Sequence, residues 1–213
     1  MAIGVVKLTL GALSTNCFLV YDKSGRQGII VDPSDSGEFI TKELTEKEII
    51  PIAIVATHGH FDHILAGTHL ALTLKIPFEM NKKDEFLLDK MQDSSFRFTG
   101  NAEDIPPKIG RSLKNGDKIV LGQSSLAVLE TPGHTPGSII LYSKKDNLCF
   151  SGDLVFSDGS IGRYDFSYSE KDKLLKSVDK ILKLPARTKL FCGHGEDTSV
   201  SLLRVLLKNR KFV

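Results

Sequence analysis

Cysteine is scarce in this sequence of 213 residues. The three cysteines, Cys17, Cys149 and Cys192, are odd in number and far apart, so they fit neither a disulfide framework nor a CxxC zinc or redox site. Each lies in an apolar, strand-like stretch, a context that favours a small buried side chain over a reactive thiol. Such cysteine usage is typical of a reducing compartment.

Long apolar runs and an excess of one charge are also missing. No run approaches the roughly 20 residues that a membrane-spanning helix requires. The N-terminal stretch has no basic start, and Lys7, Thr9 and Gly11 interrupt its apolar residues as in strands, which disfavours a signal peptide. The 28 Lys and Arg are interspersed with 26 Asp and Glu, a pattern that disfavours a nucleic-acid partner. We therefore expect a cytoplasmic protein with no membrane partner.

The composition is that of an ordinary globular protein, with 41% hydrophobic and 25% charged residues. A chain of this length buries a sizeable core without disulfides or a second domain. We therefore expect a single domain over residues 1–213. The sequence leaves open whether it acts as a monomer or as a small homo-oligomer.

Apolar runs of strand length alternate with stretches of helical spacing along most of the chain. Residues 93–116 break the alternation with Ser, Gly, Asn and a Pro106-Pro107 pair, and they predict a long loop or insertion. Helices outside two packed sheets account for this order and predict an α/β fold. Strands are predicted in residues 2–10, 16–22, 28–34, 52–56, 76–80, 118–122, 125–130, 138–143, 147–151 and 188–192. Helices are predicted in residues 37–49, 64–75, 84–92, 169–184 and 199–209.

Four candidate metal ligands, His58, His60, Asp62 and His63, follow the apolar run IAIVA within the motif HGHFDH. The carboxyl end of a buried strand is where α/β sheets place their sites. In an extended segment His58 and His60 point the same way, whereas Asp62 and His63 turn off at a helix entry and can face a second position. One loop can thus serve two adjacent metals. Imidazole and carboxylate bind zinc, iron and manganese, so the ligand types do not choose among these.

Three later positions have the same character and complete a candidate set of seven. His134 lies in TPGHTPGS, Asp153 in FSGD and His194 in FCGHGED, each directly after a strand-like run. Flanking Gly and Pro residues allow tight turns and a close approach of chain and metal. Five of the six histidines fall in these motifs, which favours a metal centre over unrelated surface histidines.

Two further polar residues have less to distinguish them. His69 lies within the helical stretch ILAGTHLALTLK, and we assign it no role. Asp32 in IIVDPS could be a carboxylate that holds the ring of a histidine ligand, or simply a turn residue. The sequence leaves both interpretations open.

The motifs HGHFDH, TPGHTPGS, SGD and GHG, in this order, resemble those of the metallo-β-lactamase superfamily over nearly the whole chain. The resemblance implies an αββα sandwich. It implies that one metal is held by His58, His60, His134 and Asp153. It implies that the other metal is held by Asp62, His63, His194 and Asp153, so that Asp153 bridges the pair. Secreted zinc lactamases of the commonest subclass carry Cys at the position of Asp153, which disfavours antibiotic hydrolysis.

Within that superfamily the chain is most similar to the glyoxalase II group, through STNCFLVYD, THGHFDH, TPGHTPGS and GSIGRYDF. Only 19 residues follow His194, whereas glyoxalase II proper continues into a helical domain that helps to bind glutathione. GRYDF resembles a GRTDF-like loop of short relatives and of persulfide dioxygenases. In it, Arg163 could grip a substrate carboxylate or be a plain surface residue. Residues 81–116 are a candidate lid through Phe86, Phe96, Arg97 and Phe98, with core aromatics as the alternative.

The resemblance predicts a binuclear metallohydrolase that acts on acylglutathione or a similar small anionic thioester. Two divalent ions, zinc or else iron or manganese, would activate a bridging water, with Asp62 and Asp153 as the catalytic carboxylates that orient it. The first alternative is a persulfide dioxygenase with one iron held by His58, His134 and Asp153. The second is a non-enzymatic metal-binding module.

Overall fold

Two mixed β-sheets form the centre of the protein in a computed structural model that describes residues 2–102 and 104–208. Met1, Glu103 and residues 209–213 of the expected domain, and with them Asn209 of the expected last helix, lie outside this description. The first sheet has the order β1 (Ile3–Leu10), β2 (Thr15–Asp22), β3 (Gln27–Val31), β4 (Ile50–Val55), β5 (Phe78–Met80), β6 (Ile109–Ser112). The second has the order β12 (Thr198–Ser199), β11 (Lys189–Cys192), β10 (Leu148–Gly152), β9 (Ile139–Ser143), β8 (Ser124–Glu130), β7 (Lys118–Leu121).

The connections explain the direction of each strand. β1 and β2 form an antiparallel hairpin whose turn uses Gly11 at φ 73° and Ser14 at φ 52°. β3, β4, β5 and β6 run parallel, because chain segments with helices connect them. In the second sheet β10 and β11 are parallel, and the neighbouring pairs are antiparallel. The helices are α1 (Gly37–Glu46), α2 (Gly67–Leu74), α3 (Glu85–Leu88), α4 (Met91–Thr99), α5 (Lys171–Leu182) and α6 (Val200–Lys208).

The hydrophobic core consists of three clusters, one between the sheets and one on the outer face of each sheet. Between the sheets, side chains such as Phe18 and Val31 of the first pack against Phe150 and Leu141 of the second. The rings of Phe18 and Phe150 have centroids 5.3 Å apart. On the outer face of the first sheet α1 and α2 pack, and on that of the second α5 and α6. The protein therefore has the predicted αββα layering.

The prediction of a loop for residues 93–116 is wrong in two places, because most of α4 and the whole of β6 lie within this range. Buried Met91 and Ser95 anchor α4, so packing stabilises a helix that Ser and Thr residues disfavour by themselves. β6 forms although its sequence, IGRS, has little strand propensity, because it pairs with β5 through the backbone. The single helix predicted for residues 84–92 is divided between α3 and α4.

The remaining expectations concern the cysteines and the membrane. Cys17, Cys149 and Cys192 are all buried, as their apolar contexts predicted. Burial raises the pKa of the Cys192 thiol to about 12, which keeps it protonated. Among the residues described, no helix combines the length and the apolar character needed to cross a membrane.

Candidate metal centre

The strand ends deliver metal-binding side chains to one edge of the two sheets. His58 and His60 follow β4, and Asp62 and His63 lie in a short 3₁₀ turn, Phe61–His63. The other candidates follow β8, β10 and β11: His134, Asp153 and His194. All seven residues that the sequence singled out meet here, in two adjacent groups.

The first group consists of His58, His60, His134 and Asp153, whose ligand atoms all lie within 4.8 Å of one another. Nδ1 of His60 lies 3.0 Å from Nε2 of His58 and 3.0 Å from Nε2 of His134. A tetrahedral zinc ion with bonds of about 2.0–2.1 Å holds neighbouring nitrogens roughly 3.3 Å apart. The three rings are therefore spaced as the ligands of one small cation would be.

The second group consists of Asp62, His63 and His194. Nε2 of His194 lies 3.3 Å, and Nε2 of His63 3.5 Å, from Oδ2 of Asp62. Asp153 lies between the groups, since its Oδ2 is 3.7 Å from Nε2 of His134 and 3.6 Å from Nε2 of His194. Its carboxylate is thus within reach of both.

Hydrogen bonds on the outer nitrogens orient the rings. Nδ1 of His134 lies 2.7 Å from the carbonyl oxygen of Arg163, and Nδ1 of His194 lies 3.1 Å from that of Leu13. A carbonyl oxygen only accepts, so each Nδ1 carries the proton. In both rings Nε2 is then the nitrogen that faces the group, where a metal ligand must present its lone pair.

Asp32 sets the orientation of two further rings. Its Oδ2 accepts from Nδ1 of His63 at 3.1 Å and from the hydroxyl of Thr57 at 2.8 Å. Because Thr57 donates its proton to Asp32, its oxygen accepts from Nδ1 of His58, 3.2 Å away. Of the two interpretations of Asp32, the contact with a candidate ligand is confirmed, and its φ of 52° also places it in a turn-like conformation.

His60 is oriented the opposite way. Its Nδ1 faces the group, and its Nε2 lies 2.9 Å from the hydroxyl of Tyr168. Burial raises the pKa of Tyr168 to about 12, so the phenol stays protonated at neutral pH. No sequence pattern points to Tyr168, because a single aromatic residue in a glycine-rich loop is not distinctive.

The charges in the first group suit a cation. Burial, together with the neighbouring histidines, lowers the pKa of His58 well below its usual value and that of His60 to about 3. Both rings are therefore neutral at physiological pH. Neutral rings with lone pairs directed at one point repel one another unless a cation lies between them.

Three carboxylates, those of Asp62, Asp153 and Asp32, lie around His63 of the second group. Burial alone would lower the pKa of His63, but the charges of Asp62, Asp153 and Asp32 raise it well above its usual value. Burial alone would raise the pKa of Asp153, but His63 lowers it well below its usual value. Nε2 of His63 and Oδ1 of Asp153 are buried without a hydrogen-bond partner among the described residues. A divalent cation would satisfy both atoms and take the place of the proton on His63.

Two glycines make room for the centre. A Cβ at Gly193 would collide with Oδ1 of Asp153 and lie 2.8 Å from Cε1 of His63. Gly152 has φ 48°, and a Cβ there would meet the side chain of Thr57. Both positions therefore favour glycine, as the expected close approach of chain and metal requires.

Two buried residues that the sequence analysis overlooked tie the loops together. Asp84 accepts from the backbone N–H of Gly59 at 3.0 Å and from the hydroxyl of Thr135 at 2.6 Å. It thereby joins the HGHFDH loop to the TPGHTPGS loop. Asn16 donates from Nδ2 to the carbonyl oxygens of Cys192 and Gly195, at 2.9 Å each, and so holds the loop that carries His194. Asn16 lies in the stretch STNCFLVYD, but no sequence pattern assigned a role to Asn16 or to Asp84.

A cavity of about 560 Å³ opens onto both groups. Arg163 lies on its wall, as expected of a substrate-binding residue, but its guanidinium donates to both carboxylate oxygens of Asp165, at 3.0 and 2.7 Å. The guanidinium also lies 4.5 Å from the ring centroid of Phe166. Binding of a substrate carboxylate by Arg163 would therefore require an exchange with Asp165. The other lining residues are Leu13, His60, Phe61, Asp62, Ser94, Phe98, His134, Asp153, Phe156, Phe166, Tyr168 and His194.

The aromatic residues of the expected lid lie at different places. Phe96 and Phe98 are 61% and 59% exposed, so their interpretation as core aromatics is wrong. Phe98 stacks on Phe61 with centroids 5.5 Å apart and lines the cavity. Phe86 packs against Tyr168 instead. Phe98 thus forms part of the cavity wall, and a lid stays a prediction.

Comparison with known families identifies the superfamily of the chain. A family model described as the metallo-beta-lactamase superfamily matches residues 10–194, a range that includes all seven candidate ligands. The chain belongs to this superfamily. Its members are generally hydrolases that bind divalent metals.

Curated relatives from the superfamily cover most of the chain. A probable metallo-hydrolase of Bacillus subtilis, YqgX, is 34% identical over 91% of this chain and 91% of its own length. A hydroxyacylglutathione hydrolase of Haemophilus influenzae, GloC, is 29% identical over 94% of this chain and 93% of its own length. The chain is thus similar to these two proteins over nearly their whole length.

Solved structures from the superfamily have the same fold. The chain is similar to the B3 metallo-beta-lactamase BLEG-1, with a TM-score of 0.87 and 33% identity over 95% of this chain and 97% of the other. It is also similar to TTHA1623, solved in a di-iron-bound form, with a TM-score of 0.85 and 34% identity over 94% and 97%. These similarities confirm the predicted fold.

Proposed function

We propose that this protein is a metal-dependent hydrolase that cleaves small thioesters with the help of two divalent cations. The observation that carries the proposal is the position of Asp153, whose carboxylate lies within 3.7 Å of ring nitrogens from both groups. A carboxylate so placed can bridge two cations. Bridged pairs of cations are typical of hydrolytic enzymes that activate water.

Each cation would have its own ligands, with Asp153 in common. The first would be held by Nε2 of His58, Nδ1 of His60 and Nε2 of His134. The second would be held by Asp62 and by Nε2 of His63 and His194. Zinc, iron and manganese all accept such donors. The di-iron form of a similar structure supports iron as well as zinc.

Bound cations lower the pKa of a water molecule and polarise a carbonyl group, which supplies a nucleophile at neutral pH. Asp62 and Asp153 would orient the attacking water by accepting its hydrogen bonds. The hydroxyl of Thr15 donates to Oδ2 of Asp62 at 2.7 Å and holds that carboxylate in place. The water oxygen forms a bond to the acyl carbon and the water releases one proton to solvent. The carbon–sulfur bond breaks, and the departing thiolate takes up a proton from solvent, so the products are a carboxylic acid and a thiol.

Thioesters are favoured as substrates by two observations. The relative from Haemophilus influenzae is named as a hydrolase of hydroxyacylglutathione, which is a thioester. The cavity also has an apolar wall of Leu13, Phe98 and Phe156 beside the polar groups. Such a wall suits the apolar parts of a small acyl thioester.

The test is anaerobic turnover of lactoylglutathione by protein of known metal content. We expect hydrolysis without oxygen, no oxygen uptake on glutathione persulfide, loss of activity with a chelator and recovery when metal is added back. His69→Ala is a matched control, because His69 is exposed and outside both groups, and it should retain metal and activity.

Three results would contradict the proposal. Full hydrolysis by demonstrably metal-free protein would remove the metal mechanism. Substantial oxygen uptake by a one-iron form with negligible thioester cleavage would favour the dioxygenase. Efficient β-lactam cleavage without thioester cleavage would indicate a lactamase, as the similarity to BLEG-1 allows.

A further inference from the structure

Tyr168 lines the cavity, next to the candidate ligands but not among them. Its oxygen lies 2.9 Å from Nε2 of His60. Its ring stacks on Phe166, with centroids 5.2 Å apart, and packs edge-on against Phe86 at 5.3 Å. The two aromatic contacts hold the hydroxyl in one place.

The direction of this hydrogen bond follows from the orientation of His60. The Nδ1 atom of His60 faces Nε2 of His58 and of His134, so it must present a lone pair if it binds a cation. A neutral imidazole carries its one proton on the other nitrogen. Nε2 of His60 therefore donates, and the hydroxyl oxygen of Tyr168 accepts.

The hydroxyl proton of Tyr168 is then free for another acceptor. The hydroxyl donates this proton to no acceptor within residues 2–102 and 104–208. Since the side chain lines the cavity, the acceptor can be a bound molecule. A phenol with its oxygen anchored and its proton free is a preorganised hydrogen-bond donor.

We propose that Tyr168 is a catalytic residue that donates a hydrogen bond to the carbonyl oxygen of the thioester as negative charge develops there. This role rests on the proposed thioester hydrolysis. The carbonyl oxygen is a better acceptor than the departing sulfur, because sulfur accepts hydrogen bonds only weakly. The proton stays on Tyr168, so no group is transferred to or from the side chain.

Tyr168→Phe tests the role, since it removes the hydroxyl and keeps the ring contacts. We expect kcat to fall by roughly 100-fold or more, as for other oxyanion donors, with little change in KM, because the bond strengthens only in the transition state. Metal content should stay at the wild-type value. Tyr164→Phe is the matched control from the same loop, outside the cavity lining, and should leave kcat unchanged.

A series of thioesters whose thiols differ in acidity identifies the acceptor. A donor to the carbonyl oxygen should cause the same fold-loss for every thiol. A loss that grows with the pKa of the thiol would move the bond to sulfur and overturn the proposal. A wild-type kcat in Tyr168→Phe would also overturn the proposal. The same holds for a loss of activity that only parallels a loss of bound metal.

Failure of the proposed function has a different signature. If the metal-loaded wild type cleaves no thioester, both the proposed function and this role are overturned. If the metal-loaded wild type cleaves thioesters and Tyr168→Phe has the same kcat, only the role of Tyr168 is overturned.

Discussion

The carboxylate of Asp32 accepts a hydrogen bond from Nδ1 of His63 across 3.1 Å, and both side chains are buried. The backbone N–H of Thr57 donates to the other oxygen of the same carboxylate at 2.7 Å, so Asp32 itself is fixed. The contact directs Nε2 of His63 towards Asp62 and Asp153.

Asp32→Asn should therefore weaken the second cation more than the first. An amide nitrogen in place of Oδ2 cannot accept from His63, and loss of such a partner typically costs 10–100-fold in metal affinity. Competition titration with a metal-binding dye measures the two affinities separately. Glu38→Gln, an exposed carboxylate on α1, is the control. Two unchanged affinities in Asp32→Asn would show that the contact has no effect on the centre.

Substitutions of Asp153 and His194 should differ in how many cations they affect. Asp153→Asn should weaken both, because the carboxylate lies beside both groups, whereas His194→Ala should chiefly weaken the second. Metal analysis at equal free metal concentration checks this. Retention of two tightly bound ions by Asp153→Asn would contradict the bridging assignment.

The ion pair of Arg163 with Asp165 offers a paired test of substrate charge. If Arg163 binds a substrate carboxylate, Arg163→Ala should raise KM for anionic thioesters by roughly 5-fold, since an exposed ion pair contributes at most about 1 kcal/mol. Asp165→Asn should lower the same KM by releasing the guanidinium. Steady-state kinetics with an anionic and a neutral thioester measure both effects. Equal changes in KM for the two substrates would show that Arg163 is a surface residue that does not bind the substrate carboxylate.

Asp84 should contribute to stability and to the first cation together. Asp84→Ala leaves the N–H of Gly59 and the hydroxyl of Thr135 without their acceptor, which should lower the free energy of unfolding by about 1–3 kcal/mol. Because those groups lie in the loops of His60 and His134, affinity for the first cation should also fall. Urea unfolding and metal titration measure the two effects. The exposed Asp89→Ala is the control, and identical behaviour of both variants would contradict the role of Asp84.

The strands and outer helices could be predicted because their hydrophobic patterns repeat within a few residues. β4 overlaps the apolar run IAIVA, and α5 has buried residues at helical spacing, Leu174, Val178 and Ile181. α4 and β6 could not be predicted, since Met91 packs into a distant core and β6 relies on backbone pairing with β5. Local pattern carries no information about such partners.

By itself, the sequence determined which seven side chains could form the centre and that strand ends would deliver them, because ligand type and strand pattern are local properties. Only the tertiary structure decided which nitrogen of each ring faces inward and which groups hold it there. Tyr168 is separated from His60 by 108 residues, and Thr135 from Asp84 by 51. Hydrogen bonds over such separations depend on how the two sheets place their loops, and no pattern of neighbouring residues encodes that placement.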